Sequence, residues 1–195
     1  MALDILRLPA APERIAPVES RLAPFFCFLL LTAACTLASF AFACATPFAA
    51  LAVIAAAMLP LPAALAVMAA VWIINQAVGF GALGYPVDTN TVLWGVAIGA
   101  AALIAAVAAK LVLRALPRAN APAALVLALV GAYVAYEIIL FAFTPFLGGA
   151  GGFTLAIVER LGVLNGLWLI GLVTVCALFR LASALRDRHA LSPRA

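Results

Sequence analysis

RLAPFFCFLLLTAACTLASFAFACATPFAALAVIAAAMLPLPAALAVMAAVWIINQAVGFGALGYPVDTNTVLWGVAIGAAALIAAVAAK, residues 21–110, holds one charged side chain, Asp88, between its terminal cations. A water-soluble domain needs solvated charge far more often than that. The whole chain of 195 residues is 69% hydrophobic and only 9% charged, which identifies an integral membrane protein. Backbone amides in hydrocarbon must be paired within their own segment, so the spans are helices. The apolar/polar alternation of a membrane β-barrel is absent. The expected fold class is all-α, a polytopic transmembrane bundle.

Breakers divide the chain. The first span is expected over residues 24–45, and Pro47 opens a shorter second segment to residue 59. Pro60-Leu61-Pro62 ends it. A third span covers 63–83, and Gly84-Tyr85-Pro86-Val87-Asp88-Thr89-Asn90 is turn chemistry. The fourth covers 91–113, the fifth 122–147 and the sixth 153–179, with Leu116-Pro117-Arg118-Ala119-Asn120 and a glycine cluster at 148–152 as joints. Residues 1–23 read as a polar cytoplasmic segment, 24–182 as one transmembrane domain and 183–195 as a basic cytoplasmic tail. No soluble domain is expected at either end.

The cations set the orientation. Arg7, Arg14 and Arg21 precede the first span; Lys110, Arg114 and Arg118 lie between the fourth and fifth; Arg180, Arg186, Arg188 and Arg194 follow the sixth. Cytoplasmic regions carry such excess, so about six spans with both termini inside are expected. If residues 47–59 are re-entrant, four full crossings remain and the termini stay inside. A formal charge of +4 flanking apolar segments is a topology signal, not a nucleic-acid footprint. The expected setting is the bacterial cytoplasmic (inner) membrane, with the lipid bilayer as first partner.

The polar groups inside the spans gather towards one side. Asn75 and Gln76 fall in the outer half of the third span, Glu137 at or beyond the middle of the fifth, and Asn165 near the middle of the sixth. Trp72, Asn75, Gln76 and Gly79 share a helical face, as do Tyr133, Glu137 and Phe141, and Asn165 with Trp168. Trp94 stands at the start of the fourth span. A cup sealed towards the cytoplasm follows, with apolar walls and a few polar anchors. Its candidate ligand-binding residues are Trp72, Asn75, Gln76, Trp94, Tyr133, Glu137, Asn165 and Trp168.

Each has a plainer reading. Asn75 and Gln76 also fit interhelical hydrogen-bond glue. A carboxylate in apolar surroundings is neutral or paired, and Arg160 is the nearest cation by depth to Glu137. Asp88 reads as a helix cap, Tyr85 and Trp94 as members of an interfacial belt, and Glu159-Arg160 as a solvated pair. The stripe Ala97, Ala101, Ala105, Ala109 and the pair Gly162, Gly166 suit close helix packing.

Cys27, Cys35, Cys44 and Cys176 lack CxxC spacing, and the only histidine is His189, so no metal, cofactor or disulfide framework is expected. With no catalytic or nucleotide motif, the chain reads as a non-enzyme that cannot hydrolyse ATP itself.

Ala34-Cys35-Thr36-Leu37-Ala38 and Ala41-Phe42-Ala43-Cys44-Ala45, with the proline-broken second segment and Gly79-Phe80-Gly81-Ala82-Leu83-Gly84-Tyr85-Pro86, resemble the substrate-capture subunits (S-components) of energy-coupling-factor vitamin transporters. That resemblance implies a small bundle binding a vitamin-like solute near the outer face. It also implies docking through the AxxxA pattern on a membrane coupling subunit driven by ATPases. The leading expectation is thus a small-solute binding subunit of a membrane uptake system. The alternatives are a structural or assembly protein packed against a larger complex, and a proton-coupled carrier using Glu137.

Overall fold

The computed structural model describes residues 21–42 and 45–191, with side chains to Arg186. Arg7, Arg14, Cys44, Arg194 and the side chains of Arg188 and His189 lie outside this description. Every element among the described residues is helical: α1 (Ala23–Phe42), α2 (Phe48–Met58), α3 (Leu61–Ala77), α4 (Thr89–Ala115), α5 (Ala121–Leu147) and α6 (Leu155–Leu191). A π-helical turn, Val78–Ala82, prolongs α3, and a 3-10 turn, Ala150–Phe153, precedes α6. All but α2 are long and apolar enough to cross a membrane. The chain is an integral membrane protein of the helical type.

The joints follow from local chemistry. Pro60 stands at the N-cap of α3, with Pro62 in its first turn, where a missing N–H costs nothing. Asp88 caps α4: its Oδ1 accepts from the Thr91 N–H at 2.9 Å and its Oδ2 from the Thr91 hydroxyl at 2.9 Å. Those bonds hold the Asp88 carboxyl below its ordinary range. Asn120 caps α5 by accepting from Ala123 N–H at 2.9 Å. Gly148 and Gly149 turn the chain at φ +78° and +82°, conformations that disfavour any side chain.

The second segment is the unexpected element. With 11 residues, α2 is about 16 Å long, roughly half the hydrocarbon thickness. All of its residues are buried, as a helix apolar on every side requires. The other five helices pack around it. It is therefore the core of the bundle, and not a lipid-facing span.

Its ends are tied by side chains from other helices. At the carbonyl end, Lys110 Nζ donates to Ala56 O at 2.7 Å and to Leu59 O at 2.6 Å. At the amide end, Asn165 Oδ1 accepts from Ala50 N–H at 3.0 Å. The last carbonyls of a helix lack intrahelical donors and carry negative partial charge. A buried ammonium is a fitting partner for them. Lys110, expected only as a topology signal, is 4% exposed and acts as this cap.

These contacts also fix direction. Thr46, just before α2, bonds to Asn75 near the end of α3. The far end of α2 meets Lys110, near the end of α4. Gly149, after α5, approaches Trp94 near the start of α4. Phe26 of α1 meets Phe179 of α6 edge-on, with ring centres 5.1 Å apart. The chain thus reverses at every joint, giving the bundle a Tyr85 end and a Lys110 end.

Small residues bring α4 against its neighbours. Ala97, Ala101, Ala105 and Ala109 are all fully buried, as their spacing suggests. A Cβ at Gly99 would sit 2.5 Å from Trp72 Cε2, and one at Gly95 2.5 Å from Gln76 Oε1. Of the AxxxA residues of α1, Ala38 is fully buried and Ala34 is 7% exposed at the edge of an apolar groove between α1 and α6, while Ala41 of the second copy is exposed. The last helix outruns its expected end at residue 179, so the boundary at 182 falls within α6.

Candidate functional site

Because α2 stops short, space is left above its amide end, at the Tyr85 end of the bundle. Two adjoining compartments occupy it. One, about 110 Å³, is lined by Ser39, Thr46, Asn75, Gln76, Tyr85 and Trp94 among others. The second, about 200 Å³, is lined by Thr46, Trp94, Tyr136, Glu137, Phe153 and Asn165 with apolar neighbours. Thr46, Trp94 and Ile98 belong to both walls. Phe48, the first residue of α2, forms part of the floor of the first.

The first compartment holds a chain of hydrogen bonds. Gln76 Nε2 donates to Asn75 Oδ1 at 3.2 Å. Asn75 Nδ2 donates to Ser39 Oγ at 2.8 Å and to Thr46 Oγ1 at 3.3 Å. The Ser39 hydroxyl donates in turn to Cys35 O at 2.8 Å. Asn75 thus uses both N–H groups and its carbonyl on protein partners, which is the glue reading in part. Its position on the wall is the binding reading in part. The π-helical turn and Gly79 shape the mouth, because the Tyr85 ring lies where a Cβ at Gly79 would be, 2.8 Å from Cδ2. Such π-turns recur at functional sites.

In the second compartment Glu137 is the only carboxylate among the lining residues. Its neighbour one helical turn back, Tyr133, brings its hydroxyl against the carboxylate. Asn165 is buried, and its carboxamide is engaged at both ends: Oδ1 caps α2, and Nδ2 donates to Leu161 O at 2.9 Å. Tyr136 stacks on Phe48 with ring centres 6.3 Å apart, which joins this wall to the floor of the first compartment.

Of the eight candidate residues, Asn75, Gln76, Trp94, Glu137 and Asn165 line the paired compartments. Three do not. Trp72 lies between α3 and α4, its Nε1 donating to Gly95 O at 2.9 Å and its ring against Gly99. Tyr133 donates to Val158 O at 2.6 Å and rests its ring on Gly162, holding α5 to α6. Trp168, one turn further along α6 from Asn165, lines instead an apolar groove of about 550 Å³ that it shares with Ala33, Ala34 and Gly171. Trp72 and Trp168 each share a helical face with a lining residue yet lie outside the compartments, whereas Tyr133 reaches the Glu137 carboxylate from behind the wall and donates its hydroxyl to Val158 O. Arg160 also lies apart. It lines a separate groove with Phe40 and Leu167, and among the described residues no ion pair joins it to Glu137. The paired reading of Glu137 is thereby corrected.

The sequence reading missed Ser39, Thr46, Tyr136 and Phe153. Thr46 stands just before Pro47 at the opening of α2, and a polar residue at a helix start is a signal that could have found it. Tyr136 adjoins Glu137, on a face that the every-fourth-residue count skipped.

Comparison with protein-family models, with curated proteins and with solved structures finds no match for this chain.

Proposed function

We propose that this chain is the small-solute binding subunit of a membrane uptake system, with its cup open on the outer face of a bacterial cytoplasmic membrane. One observation carries the reading. Polar side chains from α1, α3, α4, α5 and α6 gather at one end of the bundle, above a core helix that stops half-way. A bundle needing only stability would fill that space with apolar side chains, since polar groups in hydrocarbon are costly and are kept for a task. Each compartment is smaller than the roughly 300–1,000 Å³ of drug-sized pockets, and the adjoining pair only reaches the lower end of that range. They suit a solute of few heavy atoms.

The orientation rests on Arg114 and Arg118 at the Lys110 end, with Arg21 and Arg180 at the same end by the alternation of the helices. The positive-inside rule puts that end in the cytoplasm, with both termini there and α2 counted as a sixth, half-length crossing. With no nucleotide motif in the sequence, uptake draws on an ion gradient or on a membrane coupling subunit with ATPases. A structural role in a larger complex is favoured by the internal bonding of Asn75 alone. Native mass spectrometry of protein purified in mild detergent separates the readings. A stoichiometric small molecule on the wild type, lost in Trp94→Ala, supports solute binding. A stoichiometric protein partner with no small molecule supports the structural role and overturns the first.

A further inference from the structure

The charge lining the cup selects its ligand, given the solute-binding reading above. Among the described residues on the walls of both compartments there is one carboxylate, Glu137, and no lysine or arginine. A carboxylate- or phosphate-bearing solute would find no counter-charge. The amide end of α2 beneath the cup does not supply one either. Its Phe48 N–H donates to Thr46 O at 2.8 Å, its Leu51 N–H to Pro47 O at 3.2 Å, and its Ala50 N–H to Asn165 Oδ1. Three of the four donors that would hold an anion at this helix start are thus already bonded within the protein.

Aromatic rings stand around Glu137. Tyr136 and Phe153 line its compartment, and Trp94 forms the wall shared with the other. The faces of such rings attract cations, most strongly when water is excluded. A carboxylate beside three aromatic rings is the composition that recognises an alkylammonium group. We propose that the cup selects small organic cations, with Glu137 as counter-charge and Trp94, Tyr136 and Phe153 as the ring walls. The amide compartment then takes the uncharged polar part of the same solute, with Gln76 and Tyr85 at its mouth.

The natural solute need not be identified for the test. Thr46 touches both compartments and is replaced by cysteine on a background without the native cysteines. Its rate of modification is measured with two methanethiosulfonate reagents, one carrying a trimethylammonium group and one a sulfonate. Rates are normalised to each reagent's rate with a free thiol. The expected cation preference is on the order of tenfold, from one unit charge acting in opposite senses on the two reagents. Glu137→Gln should remove most of it, and tetramethylammonium should slow the reaction where tert-butanol does not. Equal rates, a preference for the sulfonate, or a cation preference untouched by Glu137→Gln would overturn the proposal. If Glu137→Gln does not yield folded protein, Glu137→Met, apolar and of similar length, serves in its place, and the Glu137-bearing protein still decides by its own preference and its protection by tetramethylammonium. Absence of reaction with both reagents would instead defeat the underlying reading of an open cup.

Discussion

Replacing Lys110 with methionine should destabilise the protein more than any other single loss of a cation. The ammonium donates to two carbonyls at the end of α2, at 2.7 and 2.6 Å, and the site is 4% exposed. Methionine keeps most of the stem volume and removes the donors. A buried acceptor left without a partner costs about 1–3 kcal/mol, so two carbonyls give about 2–6 kcal/mol. Relief of the ammonium's own desolvation offsets part of this. A net loss of about 2–4 kcal/mol follows, or a fall in Tm of at least about 5 °C for a chain of this size. The assay is thermal unfolding in detergent, with Arg118→Met as control. Arg118 is exposed on the joint that follows α4, at the same end of the bundle, so its loss changes the cation count equally without touching α2. Equal shifts in the two variants, or none in Lys110→Met, would refute the capping role and return Lys110 to a topology signal.

Two further outcomes follow from the packing and the caps. Gly99→Ala should push the Trp72 ring from its seat and weaken its bond to Gly95 O, costing about 1–2 kcal/mol after the gain in helix propensity; Trp72→Phe made on top of it should recover part of the loss in thermal unfolding, and additivity of the two changes would argue against the contact. Asp88 has a folded pKa below the ordinary 3.8, because Thr91 donates to its carboxylate; its contribution is present above that value and lost as pH falls through the folded one. Wild-type Tm should therefore drop more steeply than that of Asp88→Asn when pH is taken below about 4, and parallel curves would dismiss the cap.

The helical class and the joints were legible because each rests on local chemistry. Pro47, Pro60, Asp88, Asn120 and Gly148 act on their own neighbours, and the helices begin or end within a few residues of them. The alanine stripe of α4 was legible for the same reason, since its spacing alone puts it on one face. The burial of α2 was not. Residues 48–58 are as apolar as a lipid-facing span, and hydropathy does not distinguish lipid from a surrounding sheath of helices. Length was the one sign, and it left open a short crossing and a re-entrant segment, neither of which is a core helix buried on every side. The partner of Lys110 was hidden because it is backbone carbonyl, which any sequence can supply. The site divides in the same way. Depth along each helix placed Asn75, Gln76, Trp94, Glu137 and Asn165 at one level. Rotation about the axis depends on neighbouring helices, and it sent Trp168 to a groove that the every-fourth-residue rule could not foresee.

Accessibility of Gln76 from outside the cell tests the central claim most directly. Gln76 lines the amide compartment, about ten residues short of the Tyr85 loop along the chain, and no solute need be known. Single cysteines at Gln76, Thr89 and Ala119, on a background without the native cysteines, are exposed in intact cells to a small membrane-impermeant thiol reagent. An outward-opening cup above α2 predicts reaction at Thr89 and Gln76 and none at Ala119 until the cells are permeabilised. Reaction at Ala119 alone would invert the orientation, and reaction at Thr89 with Gln76 inert would mean that the space above α2 is closed to the outside, contradicting the account.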